Sequence, residues 1–229
     1  LVSAMSAAAA HDDALWVCAA LCSADREVAV AAPGGRLDRA GFDAGGAAVR
    51  MLDIDETVLA GAYTSIANTT LWALNHGLVD SLPAFDESWR SDWDRYVTYN
   101  ESFAAAIAEE AAEGARVLVQ DYHLNLVPAA VRRLRPDVRI AHFTHTPWAV
   151  ANDFARLPDD VSSAIIRGLV AADSIGFHSR RWADDFAACA AANDVAVDVP
   201  LRVHPLGVDA APLLARAAEH DGTTRIAGL

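Results

Sequence analysis

The sequence predicts an α/β fold, a mainly parallel sheet flanked by helices. Three observations predict it. Short apolar, partly β-branched runs alternate along the chain with longer stretches of helical periodicity. Two such runs, at residues 116–120 and 139–143, enclose a helical segment at 126–134, which makes a βαβ unit with parallel strands and a right-handed crossover. The chain has 229 residues and is 53% hydrophobic, enough for one sizeable core. Much of that content is alanine, which favours helix while adding little buried area.

The elements follow in order. Residues 1–10 read as the inside of a helix without an N-cap. Apolar runs at 15–20 and 27–31 precede the turn Pro33-Gly34-Gly35, and 47–52 is a further β-compatible run closed by Asp53-Ile54-Asp55-Glu56. From 56 to 76 Leu59, Tyr63, Ile66, Thr70 and Leu74 recur at three and four, so helix is expected, broken near Gly61 and capped by Gly77. Residues 78–87 form a loop containing Pro83. An amphipathic helix over 88–113 carries Trp89, Trp93, Tyr96, Phe103 and Ile107 on one stripe, and Gly114 ends it. The βαβ unit comes next, then a short helix at 149–156 and a longer one at 161–171. A strand at 174–177 leads to Ser179, the N-cap of a helix ending near 192. Residues 195–204 are expected to be extended, and 210–220 helical.

A formal net charge of −13 argues against broad binding to nucleic acid or anionic membranes, which takes basic surface. It leaves room for a local basic pocket for a phosphate. Three cysteines without a framework spacing suggest reduced thiols in a cytoplasmic protein. No metal-binding spacing, Walker A loop, dinucleotide fingerprint or nucleophile elbow is present, so no metal and no cofactor is expected. No apolar run reaches the ~20 residues of a membrane span, and no signal-peptide pattern opens the chain.

The βαβ unit carries the candidate chemistry. Parallel strands end on one edge of the sheet, where doubly wound folds bind ligands. Asp121 and His145 follow the two strands and are expected side by side on that edge. A carboxylate at Asp121 can accept hydrogen bonds from sugar hydroxyls, or it can cap the next helix. An imidazole at His145 can donate to a hydroxyl or a developing oxyanion, or it can bond to loop backbone. His123 is read as a core histidine and His142 as structural. Tyr63 and Trp72 lie nine residues apart, about 900° in a regular helix and hence on opposite faces. They flank one ligand only if the Tyr63 end departs from regular helix, and otherwise both belong to the core. Asn68 and His76 are polar positions on the same segment.

These residues carry a resemblance. The segment Tyr63, Asn68, Leu71, Trp72 and His76 resembles that of the trehalose-6-phosphate synthase family, retaining glycosyltransferases of the GT-B type in glycosyltransferase family 20. Trp93, Tyr96, Asn100 and Phe103 are similar to its next helix. Asp121-Tyr122-His123-Leu124, His145-Thr146-Pro147, Leu157-Pro158, Ala172-Asp173, Gly176-Phe177 and Pro205-Leu206-Gly207-Val208-Asp209 follow in the family's order.

The resemblance implies the N-terminal domain of a GT-B fold, with residues 1–209 as the acceptor-side Rossmann-like domain lacking its first strand. Residues 210–229 would begin the connection to a C-terminal nucleotide-sugar domain outside this chain. A fragment is therefore expected, inactive by itself, with an exposed face that makes it prone to self-association as a homo-oligomer. The implied reaction moves glucose from UDP- or GDP-glucose to glucose 6-phosphate, with retention and without a metal. Catalysis by positioning and electrostatics fits the absence of a triad or metal motif. Tyr63 and Trp72 would contact the glucose 6-phosphate, Asp121 its hydroxyls, and His145 the donor sugar near the reacting centre. Gln120 stands where the family commonly has His, and Thr146-Pro147-Trp148-Ala149 replaces a commoner Ile-Pro-Phe-Pro. A Trp after that proline also occurs in related pseudo-glycosyltransferases that couple cyclitols through nitrogen, although their Asp-Tyr motif usually continues with Gln where this chain has His123. Two alternatives stay open, that coupling and a non-catalytic sugar-phosphate-binding module.

Overall fold

The computed structural model describes residues 14–44, 46–207 and 210–219. The expected helix at 1–10 lies outside them. Strand β1 (Leu15–Ala19) pairs in parallel with β2 (Ala48–Leu52), Leu15 opposite Ala48. Strands β3 (Arg116–Gln120), β4 (Arg139–Thr144), β5 (Ser174–Phe177) and β6 (Leu201–Val203) form a second parallel sheet in that order. The single expected sheet is thus divided. Both parts still feed one core, because Val17, Ala19 and Leu52 pack on the cluster that holds Val117, Val119 and Ile140.

Side-chain alternation fixes which face of β3 and β4 meets that core. Val117 and Val119 are buried while Arg116 and Leu118 are exposed. On β4 the inward residues are Ile140, His142 and Thr144. An apolar residue would be the cheaper choice at the last two positions.

Helix α1 (Ser23–Ala31) replaces the short apolar run expected at 27–31. A capping box starts it early: the Cys22 thiol accepts the Asp25 N–H at 3.5 Å, and the Asp25 carboxylate accepts the N–H groups of Leu21 and Cys22. Cysteine in the place of the usual serine hid that signal. Helix α2 runs unbroken as an α-helical turn Glu56–Leu59, a π-helical stretch Ala60–Leu71 and an α-helical turn Trp72–Asn75. Gly61 does not interrupt it; a Cβ there would run into the Arg95 and Asp92 side chains of the next helix. That helix, α3 (Glu87–Glu110), is capped by Asp86, whose carboxylate accepts the Trp89 N–H.

The remaining helices are α4 (Val127–Leu134), α5 (Ala151–Phe154), α6 (Asp159–Val170), α7 (Arg180–Ala192) and α8 (Ala210–Glu219). Ser179 caps α7 as expected, accepting the Trp182 N–H. The extended stretch expected over 195–204 shrinks to the three residues of β6, because β5 is itself only four residues long and Pro200 has no N–H to donate. None of the helices among the described residues is long and apolar enough to cross a membrane.

Candidate active site

Strands β3 and β4 are in register from Arg116 opposite Arg139 to Gln120 opposite Phe143, so both end at one edge. The Asp121 N–H donates to the Phe143 carbonyl at 2.7 Å and carries the ladder one residue past β3. The backbone then turns sharply, with φ 68° and ψ 169° at Asp121. That region is almost confined to glycine, and a residue held there costs about 1–3 kcal/mol. The Asp121 carbonyl accepts the Leu124 N–H at 3.1 Å and the His142 Nε2–H at 3.2 Å. Its carboxylate Oδ1 accepts the His145 backbone N–H at 3.2 Å. The side chain does not cap the short 3-10 turn Tyr122–Leu124 that follows. The two residues expected on one edge are thus bonded to each other.

The His145 ring is half-buried, and its Nε2 lies 2.9 Å from Gln120 Oε1. An amide oxygen only accepts, so Nε2 carries the proton and Nδ1 is a bare acceptor. Burial pushes the His145 pKa down, opposed by Asp121 and assisted by His178. The ring is therefore neutral near pH 7.

Phe143 is a plate beneath three histidines, with ring centroids at 4.7 Å from His145, 4.9 Å from His178 and 6.2 Å from His204. His178 Nδ1–H donates to the His204 carbonyl at 3.0 Å. Gly176 on β5 makes room for the plate, since a Cβ there would strike the Phe143 ring. Among the described residues no group of three His, Cys, Asp or Glu is arranged to hold a metal ion.

The loop after β3 is clamped from α3. The Tyr96 hydroxyl donates to the Tyr122 carbonyl at 2.7 Å and accepts the Asn125 N–H at 3.2 Å. One turn on, Asn100 donates to the His123 carbonyl and accepts the Leu126 N–H. Sequence reasoning placed Tyr96 on a packing stripe and, with Asn100, in the resemblance, but gave neither a role at this loop. The signal available was a hydroxyl and an amide four residues apart on a buried helix face.

The π-helical register of α2 meets the condition stated for Tyr63 and Trp72, a Tyr63 end that departs from regular helix. Its i→i+5 spacing shows in two side-chain bonds, Thr69 Oγ1 to the Thr64 carbonyl and Thr70 Oγ1 to the Ser65 carbonyl. Tyr63 and Asn68, five apart, meet the same partner. The Tyr63 ring stacks on His123 at 5.0 Å, and Asn68 Oδ1 accepts from His123 Nε2 at 3.1 Å and from the Tyr122 hydroxyl at 2.9 Å. Asn68 is not merely exposed, and burial lowers the pKa of a His123 that donates to it. In this register nine residues make about two turns rather than two and a half, bringing Trp72 round towards the Tyr63 side. Trp72 itself is 39% exposed and stacks on His76 at 4.3 Å. Asn75, near the end of α2, donates to Thr146 Oγ1 at 3.5 Å and ties the helix to the His145 loop.

A hollow of about 480 Å³ between the starts of α1 and α2 is bounded by Cys22, Arg26, Glu56 and Tyr63. A second of about 440 Å³, between β2 and α3, touches none of the predicted site residues. Trp148 is core rather than site: it is buried among Phe154, Phe177 and Phe186.

Residues 1–217 match the model of glycosyltransferase family 20. Trehalose-6-phosphate synthase of Mycobacterium sp. (strain KMS) is 44% identical over 128 residues, which is 56% of this chain and 25% of that protein. The solved structure of an alpha,alpha-trehalose-phosphate synthase (UDP-forming) from Burkholderia vietnamiensis superposes with a TM-score of 0.76 at 19% identity, over 96% of this chain and 48% of that one. A synthase of the same description from Burkholderia xenovorans, in complex with glucose-6-phosphate, superposes with a TM-score of 0.67 at 22% identity, over 80% of this chain and 42% of that one. The chain therefore spans about half the length of these solved structures, and over that part it shares the fold of these GT-B proteins. A family match over nearly the whole sequence, a shared fold and an ordered set of edge residues lead to one conclusion: the chain belongs to glycosyltransferase family 20.

Proposed function

We propose that this chain is the acceptor-side domain, residues 1–209 with the start of a connection at 210–229, of a retaining glycosyltransferase that moves glucose from UDP- or GDP-glucose to glucose 6-phosphate and forms trehalose 6-phosphate. The bond from glucose C1 to the diphosphate breaks, C1 joins the acceptor hydroxyl, and the hydroxyl proton leaves with the diphosphate. Family membership supports the reaction class. The glucose-6-phosphate complex of one structural relative and the UDP-forming description of another support the substrates.

The observation that carries the assignment of residues is Asp121. It is held in a backbone conformation that costs free energy, with its carboxylate fixed against the His145 N–H at the ligand-binding edge. Asp121 accepts hydrogen bonds from acceptor hydroxyls and orients the attacking oxygen. His145, neutral and with a bare Nδ1, contacts a hydroxyl of the donor sugar beside the reacting carbon. Tyr63 and Trp72 bracket the sugar phosphate, and the hollow beside Tyr63 is within the size range of small-ligand sites. Much of the rate then comes from holding two sugars in a reactive geometry. Trp148 is buried and lines no part of the edge, so it offers no contact that favours a cyclitol acceptor over glucose 6-phosphate.

Calorimetric titration with glucose 6-phosphate tests the assignment. Binding by the parent chain, weakened at least tenfold in Asp121→Ala, is the expected result. Equal affinity in both would remove Asp121 from the acceptor site.

A further inference from the structure

His142 is 1% exposed, on the inward face of β4. The single hydrogen bond of its ring goes to the Asp121 carbonyl at 3.2 Å. A carbonyl only accepts, so the ring is the Nε2–H tautomer. The other nitrogen, Nδ1, is enclosed and has no partner. Burial keeps the ring neutral, with a pKa pushed down to about 4. Such a residue is a poor choice for filling a core. An aromatic or branched apolar side chain would pack the same space without a desolvated nitrogen left unpaired.

What the ring touches gives the reason for it. Asp121 occupies a region of φ and ψ that persists only when its surroundings over-determine it. Four hydrogen bonds hold it. Its N–H donates to Phe143, its carbonyl accepts from Leu124, and its carboxylate accepts from His145, all three through partner main-chain groups that any sequence would supply. The fourth is from His142, the only partner side chain among them.

We propose that His142 is a positioning residue, whose Nε2–H holds the Asp121 carbonyl and thereby aims the Asp121 carboxylate at the acceptor. Acceptor binding by Asp121 is the reading given above, and this inference rests on it for its functional consequence alone. The positional claim stands on the geometry.

The test compares His142→Phe, which keeps an aromatic ring and removes the donor, with His142→Gln, which keeps an N–H at similar reach. In hydrogen–deuterium exchange of the full chain, His142→Phe is expected to speed exchange of the His145 amide at least tenfold, and His142→Gln to restore protection to within threefold. Calorimetry with glucose 6-phosphate is expected to show a tenfold or greater rise in Kd for His142→Phe and recovery in His142→Gln. Unchanged His145 exchange in His142→Phe overturns the proposal, as does equal loss in both variants, which marks a packing role. Should His142→Phe not fold, nitrogen-15 chemical shifts of the parent decide: a Nδ1–H tautomer at His142 rules out the bond. If Asp121→Ala binds glucose 6-phosphate as well as the parent does, the acceptor reading fails, and His145 exchange still decides the positional claim.

Discussion

Asp121 sets a stability cost against a placement. At φ 68° a glycine is at ease and an L side chain is not. Asp121→Gly and Asp121→Ala both remove the carboxylate, so they differ in backbone strain and, opposing it, in the greater freedom of an unfolded glycine. Urea denaturation is expected to find Asp121→Gly more stable than Asp121→Ala by about 1 kcal/mol, with sugar-phosphate binding weakened at least tenfold in both. Equal stabilities would show that the strain is no larger than that opposing effect. At this scale the sequence was informative about identity and silent about conformation. An apolar run ending in Asp121 points to the sheet edge, but nothing in its neighbours announces a positive φ. His142, expected to be structural, is buried as that reading requires, yet a strand pattern says nothing about a carbonyl bent back within reach of its ring.

At the scale of elements, the loop after β3 keeps its shape because α3 supplies the hydrogen-bond partners that a sheet or helix would otherwise provide. Tyr96 serves two backbone groups, and burial raises its hydroxyl pKa well above the usual range, so it stays protonated and able to donate. Tyr96→Phe leaves the Tyr122 carbonyl and the Asn125 N–H short of a partner. A loss of about 1–3 kcal/mol is expected, read as a lower urea midpoint at unchanged slope. An unaltered midpoint would mean that water replaces the hydroxyl. The boundaries of α3 and of the βαβ unit were legible, since Gly114 and the breaks from apolar to ionisable residues mark them. The π-helical register of α2 was not. Its apolar residues recur at three and four as in an ordinary helix, and the five-residue step appears only once Thr69 and Thr70 reach back to their carbonyls. Opposite faces for Tyr63 and Trp72 belong to the regular pitch alone, and the sequence left open which pitch applies. Cys22 concealed the start of α1 in the same way, through an unusual residue in a familiar role.

For the molecule as a whole, the polar groups beneath the sheet edge make the fold sensitive to mild acid. His142 has a folded pKa of about 4 against an ordinary 6.5. The unfolded chain therefore binds a proton more readily than the folded one between those values. The stability that this depression preserves is complete above pH 6.5 and lost as the pH falls towards 4. The arithmetic gives on the order of 3 kcal/mol. Paired carboxylates such as Asp137 lose stability on the same side, so the comparison is with His142→Phe. Between pH 7 and pH 4 the parent is expected to lose about 3 kcal/mol more than the variant in urea titrations. Parallel pH profiles would show that the ring titrates normally. The α/β class and the order of elements were readable at this scale, because periodicity is local. The division into two sheets was not, because strand pairing is decided between segments far apart in the chain.

Gly176 has a consequence for how such a site can vary. The Phe143 ring rests directly on the β5 backbone, and His145, His178 and His204 rest on the ring. One absent methyl group thus acts as a shim, setting where the Phe143 ring sits beside the histidines. Adding that methyl would displace the Phe143 ring that the three imidazoles border, without changing a polar atom. The tolerance of the site is then set from below, by a residue with no side chain and no chemistry of its own.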